Sequence, residues 1–100
     1  MENEITTNER VHDLAEKLSL LLQEDRFREV REAIEGFFPV EIADALVEMD
    51  NPKYGIVLLR LLPNETAADI FTYLSTEMQE EIVQTMNNKE IRNLMSEIFT

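Results

Sequence analysis

The residues of this chain whose types and spacing could do chemistry are its carboxylates. Glu41, Asp44 and Glu48 stand at i, i+3 and i+7, a spacing that puts all three on one face of a helix. Glu65 and Asp69 share a face in the same way, and Glu77, Glu80 and Glu81 gather on another. Like charges this close on a helix repel by a few tenths of a kcal/mol per pair, and a divalent cation would relieve that repulsion. Mg²⁺ suits such a surface, because it takes oxygen ligands, keeps several of its waters and needs only one or two carboxylates. A single helix face holds a metal weakly, so a useful site would draw further carboxylates from a second domain. A solvated acidic face is the plainer reading of the clusters by themselves.

Other chemistries lack their residues. There is no Cys, one His and no Gly-x-Ser-x-Gly turn, which removes the usual routes to a nucleophile. His12 falls near the start of the first helix on its polar side and reads as a surface residue. Gly36 and Gly55 are too far apart to form a phosphate-cradling loop, and the calcium-loop pattern is absent. The chain reads as a protein that is not an enzyme. Its net charge is −12, from 21 acidic against 9 basic residues. That balance argues against nucleic acid and against an anionic membrane surface, and favours cationic partners, either metal ions or a basic protein face. The first residues, Met1 to Glu4, are acidic and do not resemble a secretory signal. The densest apolar run, Ile56 to Leu62, is broken by Arg60 and is far too short to span a bilayer. The chain therefore reads as soluble.

The elements that must position these carboxylates announce themselves as a repeat. Large apolar residues return every twelve positions in three registers. The first is Ile34, Leu46, Leu58, Ile70, Ile82 and Leu94. The second is Val47, Leu59, Phe71, Val83 and Met95. The third is Phe38, Leu62, Leu74, Met86 and Ile98, broken only at Asp50. A small-residue register, Ala43, Gly55 and Ala67, would let helices approach closely. Twelve residues hold about ten of helix and a two-residue joint, and helices that short must stack on one another to be stable. The pattern predicts one all-α domain over residues 1–100, with 1–5 disordered. About seven helices follow, near 8–23, 26–35, 39–49, 52–61, 64–74, 76–86 and 88–98. Thr6 with Glu9 and Thr76 with Gln79 read as capping boxes, Asn87 with Glu90 resembles one, Asp25 and Asn51 read as N-caps, and Gly36 as a C-terminal cap. The last helix shows no polar capping design, so the array is expected to continue past Thr100.

The stretch Phe38 to Phe99, FPVEIADALVEMDNPKYGIVLLRLLPNETAADIFTYLSTEMQEEIVQTMNNKEIRNLMSEIF, resembles the cytoplasmic N-terminal domain of MgtE-type magnesium channels. PVEIADALVEMD is similar to that family's H-P-x-D-I-A-x-L-L-E-x-L segment. LLRLLPNETAADIFTYLS is similar to its L-L-R-L-L-P-x-x-x-A-A-E-V-L-x-x-L segment, and TEMQEEIVQTMNNKEIRNLMSEI to its P-E-x-Q-x-E-L-L repeats. Phe38 departs from the family's frequent His, and Gly55 sits in an unusual place.

The resemblance implies a right-handed superhelix acting as a regulatory, cytosolic domain of an inner-membrane protein. It implies CBS domains of the same full-length protein as the partner, in a dimeric channel, with Mg²⁺ bridging acidic residues of the two and favouring the closed pore. Carried over by position, Asp69 is the foremost expected Mg²⁺ ligand, with Glu65, Glu41, Asp44 and Glu48 as weaker candidates. The other reading is a protein-interaction scaffold without metal, of the flagellar motor-switch or armadillo-like type.

Overall fold

The first twelve-residue register forms the spine of the core: Ile34, Leu46, Leu58, Ile70, Ile82 and Leu94 are each 7% exposed or less. The computed structural model describes residues 2–99, with side chains described from Glu9 onward. Among these residues there are seven helices and no strand: α1 (Glu2–Gln23), α2 (Phe27–Ile34), α3 (Pro39–Met49), α4 (Pro52–Leu61), α5 (Asn64–Thr72), α6 (Thr76–Thr85) and α7 (Asn88–Ile98).

Helix boundaries from α3 onward follow local chemistry. The N-cap positions of α4 to α7 are Asn51, Pro63, Ser75 and Asn87, twelve residues apart. Asn51 Oδ1 accepts from the Lys53 N–H at 3.1 Å, with Pro52 at the first helical position, where its missing donor costs nothing. Asn87 and Glu90 close a full capping box: Glu90 N–H donates to Asn87 Oδ1 at 2.8 Å, and Asn87 N–H to Glu90 Oε1 at 3.2 Å. Gly36 adopts φ +82° just after α2, the left-handed conformation that glycine enters without a Cβ penalty.

Three assignments change. α1 begins at Glu2, so Thr6 lies within the helix and not at its cap. Met1 lies outside the described residues. Asp25 does not cap α2. It takes φ 57° beyond the end of α1, where Arg26 N–H donates to Leu21 O and Asp25 N–H to Leu22 O, a left-handed termination that Asp tolerates better than most residues. Ser75, not Thr76, caps α6, its Oγ accepting from the Met78 N–H at 3.3 Å. Gln79 instead donates to the Phe71 carbonyl at 2.8 Å and ties α6 to α5.

Each helix rests on the helix two ahead. α1 packs on α3, α3 on α5 and α5 on α7, while α2 packs on α4 and α4 on α6. This two-row stacking explains the registers. The first faces the seam between the rows. In the second, Leu59 and Phe71 are buried, Val83 and Met95 half-buried and Val47 exposed. The third marks the joints, and its break at Asp50 falls on a residue at φ 50° that ends α3. Phe38 departs from its register too: it is 71% exposed at the N-cap position of α3. Ala43, Gly55 and Ala67 are all buried. Among the described residues no helix is long and apolar enough to cross a membrane.

Candidate functional site

The three carboxylates of α3 share a face but do not act together, because two of them are already partnered. Glu41 turns back to its own helix start, where Oε1 accepts from the Phe38 N–H at 2.9 Å and stands 3.6 Å from Arg10 Nη2 on α1. Glu48 Oε2 lies 2.8 Å from His12 Nδ1, also on α1. Asp44 between them is exposed and has no ion-pair partner among the described residues. The helical spacing does place the three on one face, and two of them meet partners on α1. Both partners come from α1, more than thirty residues away in sequence. Among the described residues no group of three or more His, Asp or Glu stands close enough to hold a metal ion.

His12 joins α1 to α3. Its Nε2 faces Glu16 Oε1 at 2.9 Å, one turn along α1, while Nδ1 faces Glu48. With a carboxylate at each ring nitrogen, both nitrogens must donate, and the imidazolium is favoured. The hydrogen bond to Glu48 is the main cause that holds the His12 pKa above its ordinary value, with the charges of Glu48 and Glu16 adding to it. The i, i+4 pair of His12 and Glu16 was visible in the sequence, but the bridge to Glu48 was not. Arg60 on α4 grips Glu90 on α7 through two hydrogen bonds of 2.6 and 2.9 Å. The bond from Arg60 is the chief cause that lowers the Glu90 pKa, so this carboxylate is structural as well.

Asp69 is placed differently. It is exposed on α5, and its carboxylate has no ion-pair partner among the described residues. It lines an open groove of about 360 Å³ where the end of α5 meets the start of α3, together with Thr72 and Tyr73 on one side and Phe38, Pro39 and Val40 on the other. Thr72 Oγ1 donates to the Asp69 carbonyl at 2.8 Å and leaves the carboxylate free. Glu65, one turn earlier, is exposed in the first turn of α5, where a carboxylate suits the helix dipole. Asp69 and Glu65 are exposed hard oxygen donors, the ligand type that Mg²⁺ takes alongside its own waters. Val40 and Tyr73 carried no signal in the sequence beyond being large and apolar, and the register of Phe38 pointed to the core, not to this exposed groove.

A family model described as the MgtE intracellular N domain matches residues 37–100. The matched segment runs from α3 through α7 and includes Asp69 and its groove. No curated protein and no solved structure matches the chain.

Proposed function

The chain belongs to the MgtE intracellular N domain family, and from that membership we propose that it senses Mg²⁺ for a magnesium transporter by docking on acidic CBS domains of the same dimeric protein. The observation that carries the reading is the family match over 37–100 together with a charge of −12. A domain this acidic is repelled by another acidic domain, and the repulsion is strongest where both faces lose water. Mg²⁺ bridging the two faces turns that repulsion into attraction. An ion that binds the docked assembly better than the separated domains shifts the population toward docking by mass action, and docking in turn raises the affinity for the ion. Asp69, with Glu65 beside it, would supply this chain's share of the ligands. Glu41 and Glu48 are weaker contributors, since Arg10 and His12 already hold them, and Asp44 stands exposed between them.

The test is a Mg²⁺ titration of the protein carrying this chain and its CBS pair, read by limited proteolysis of the segment between them. Protection should rise in the millimolar range, and Asp69→Ala should move that rise to higher Mg²⁺ with the helical circular dichroism unchanged. Cleavage that does not respond to Mg²⁺ would overturn the reading. Loss of helicity in Asp69→Ala would show a structural role for Asp69 instead.

A further inference from the structure

Three of the six large apolar side chains exposed among the described residues gather at one place: Phe38 at 71%, Tyr73 at 56% and Val40 at 41% exposure all line the Asp69 groove. A carboxylate without an ion-pair partner among the described residues that shares a groove with two exposed aromatic residues, on a chain of charge −12, is the complement of a cation with a flat face. The chain makes the same kind of arrangement internally. The Arg10 guanidinium lies 4.4 Å from the centroid of the Phe37 ring and 3.6 Å from the Glu41 carboxylate. At Asp69 the ring and the carboxylate are present and the described residues supply no cation.

We propose that the groove between the start of α3 and the end of α5 is a docking cleft for an arginine side chain on an apolar segment of a partner protein. The guanidinium stacks on Tyr73 or Phe38 and pairs with Asp69, while the partner's flanking apolar residues lie along Pro39 and Val40. Arginine fits better than lysine because its planar, weakly hydrated fork both stacks on a ring and pairs with a carboxylate. The acidic surface around the groove steers such a segment toward it. This does not rest on the Mg²⁺ reading, and its test is run in EDTA.

The probe is the acetylated, amidated pentapeptide Gly-Leu-Arg-Leu-Gly, with a twin in which citrulline replaces arginine, removing the charge and one donor nitrogen while keeping a planar group of the same size. Both are titrated into the 100-residue chain at low ionic strength and followed by amide chemical shifts. The arginine peptide should move Val40, Asp69, Thr72 and Tyr73 saturably. The citrulline twin, which loses both contacts, should weaken binding about fivefold or more, and Asp69→Asn and Tyr73→Ala about two- to fivefold each. The exposed positions leave the fold intact, which the unperturbed amides of α7 check in the same spectra. Equal affinity for the two peptides, unchanged affinity in Asp69→Asn, or shifts confined to other parts of the acidic surface would each overturn the proposal.

Discussion

Gly55 in α4 is the position where two opposing effects can be weighed against each other. A glycine inside a helix costs about 1 kcal/mol relative to alanine, so Gly55→Ala begins with a gain of that size. Against it stands the α6 helix. A Cβ at Gly55 would lie 3.3 Å from Ile82 Cδ1 and 3.9 Å from Met78 Sδ, and Ile82 is fully buried. The close atom is the far end of a side chain, and a shift of a few tenths of an ångström relieves the contact. Its cost lies below the roughly 1–3 kcal/mol of a true overpacking mutation. The expected net effect is a gain of about 0.5 kcal/mol, or roughly 2–4 °C in Tm for a chain of this size. Urea denaturation of the wild type and Gly55→Ala reads the difference, and Gly55→Leu, which cannot be absorbed, should lose about 2 kcal/mol or more. Ile82→Val removes the crowding methyl, so the double mutant should show a favourable coupling of about 0.5 kcal/mol. A loss of more than about 1 kcal/mol in Gly55→Ala would show that Ile82 cannot give way, and zero coupling with Ile82→Val would show that α4 and α6 do not meet as described.

Two further outcomes follow from the core and from His12. Leu58→Ala, at a fully buried position of the first register, should cost about 3–4 kcal/mol in urea melts, whereas Leu20→Ala, at 53% exposure, should stay within about 0.5 kcal/mol; similar costs for the two would refute the two-row packing. The His12 bridge raises the folded pKa above the ordinary value of about 6.5, so its contribution is complete below that pH and fades as pH rises through the folded value. The Tm deficit of His12→Asn relative to wild type should therefore be largest near pH 6 and close toward pH 9 (a range set by the unperturbed His value of about 6.5), and a deficit that grows with pH would contradict the geometry.

Much of the fold was legible because its signals are local and repeated. The first register reports burial at every turn of the array, and the caps Asn51 and Asn87 recur with the same period. The misreadings at helix ends had close competitors. Ser75 and Thr76 are adjacent hydroxyl residues with equal claims to a cap, and Asp25 can either cap a helix start or take a left-handed φ at a helix end. The site was less legible than the fold. The pairs Arg10–Glu41 and His12–Glu48 bridge α1 to α3, and no helical periodicity reports a partner on another helix. For the same reason the exposure of Phe38, Val40 and Tyr73 depends on where α3 and α5 meet rather than on their own sequence.

Those cross-helix pairs also decide how an acidic chain can act through a cation. Arg10, His12, Arg26, Arg28 and Arg60 each hold one or two carboxylates of α1, α2, α3 or α7 or of the joint before α2. The α5 carboxylates Glu65 and Asp69 are held by none of them. A second acidic surface facing the groove would repel these two with no neighbouring cation among the described residues to offset it. Two exposed carboxylates in water attract a divalent ion only weakly, because the ion keeps its own waters at little cost. Facing a second acidic surface, the same two carboxylates gain from the ion both its direct attraction and the repulsion it cancels. On this reasoning the proposed response to Mg²⁺ would belong to the interface rather than to the isolated chain. Isothermal titration of the 100-residue chain with Mg²⁺ should show binding much weaker than that of the chain docked on the proposed CBS pair, and equal affinities would mean that the chain carries a complete site of its own.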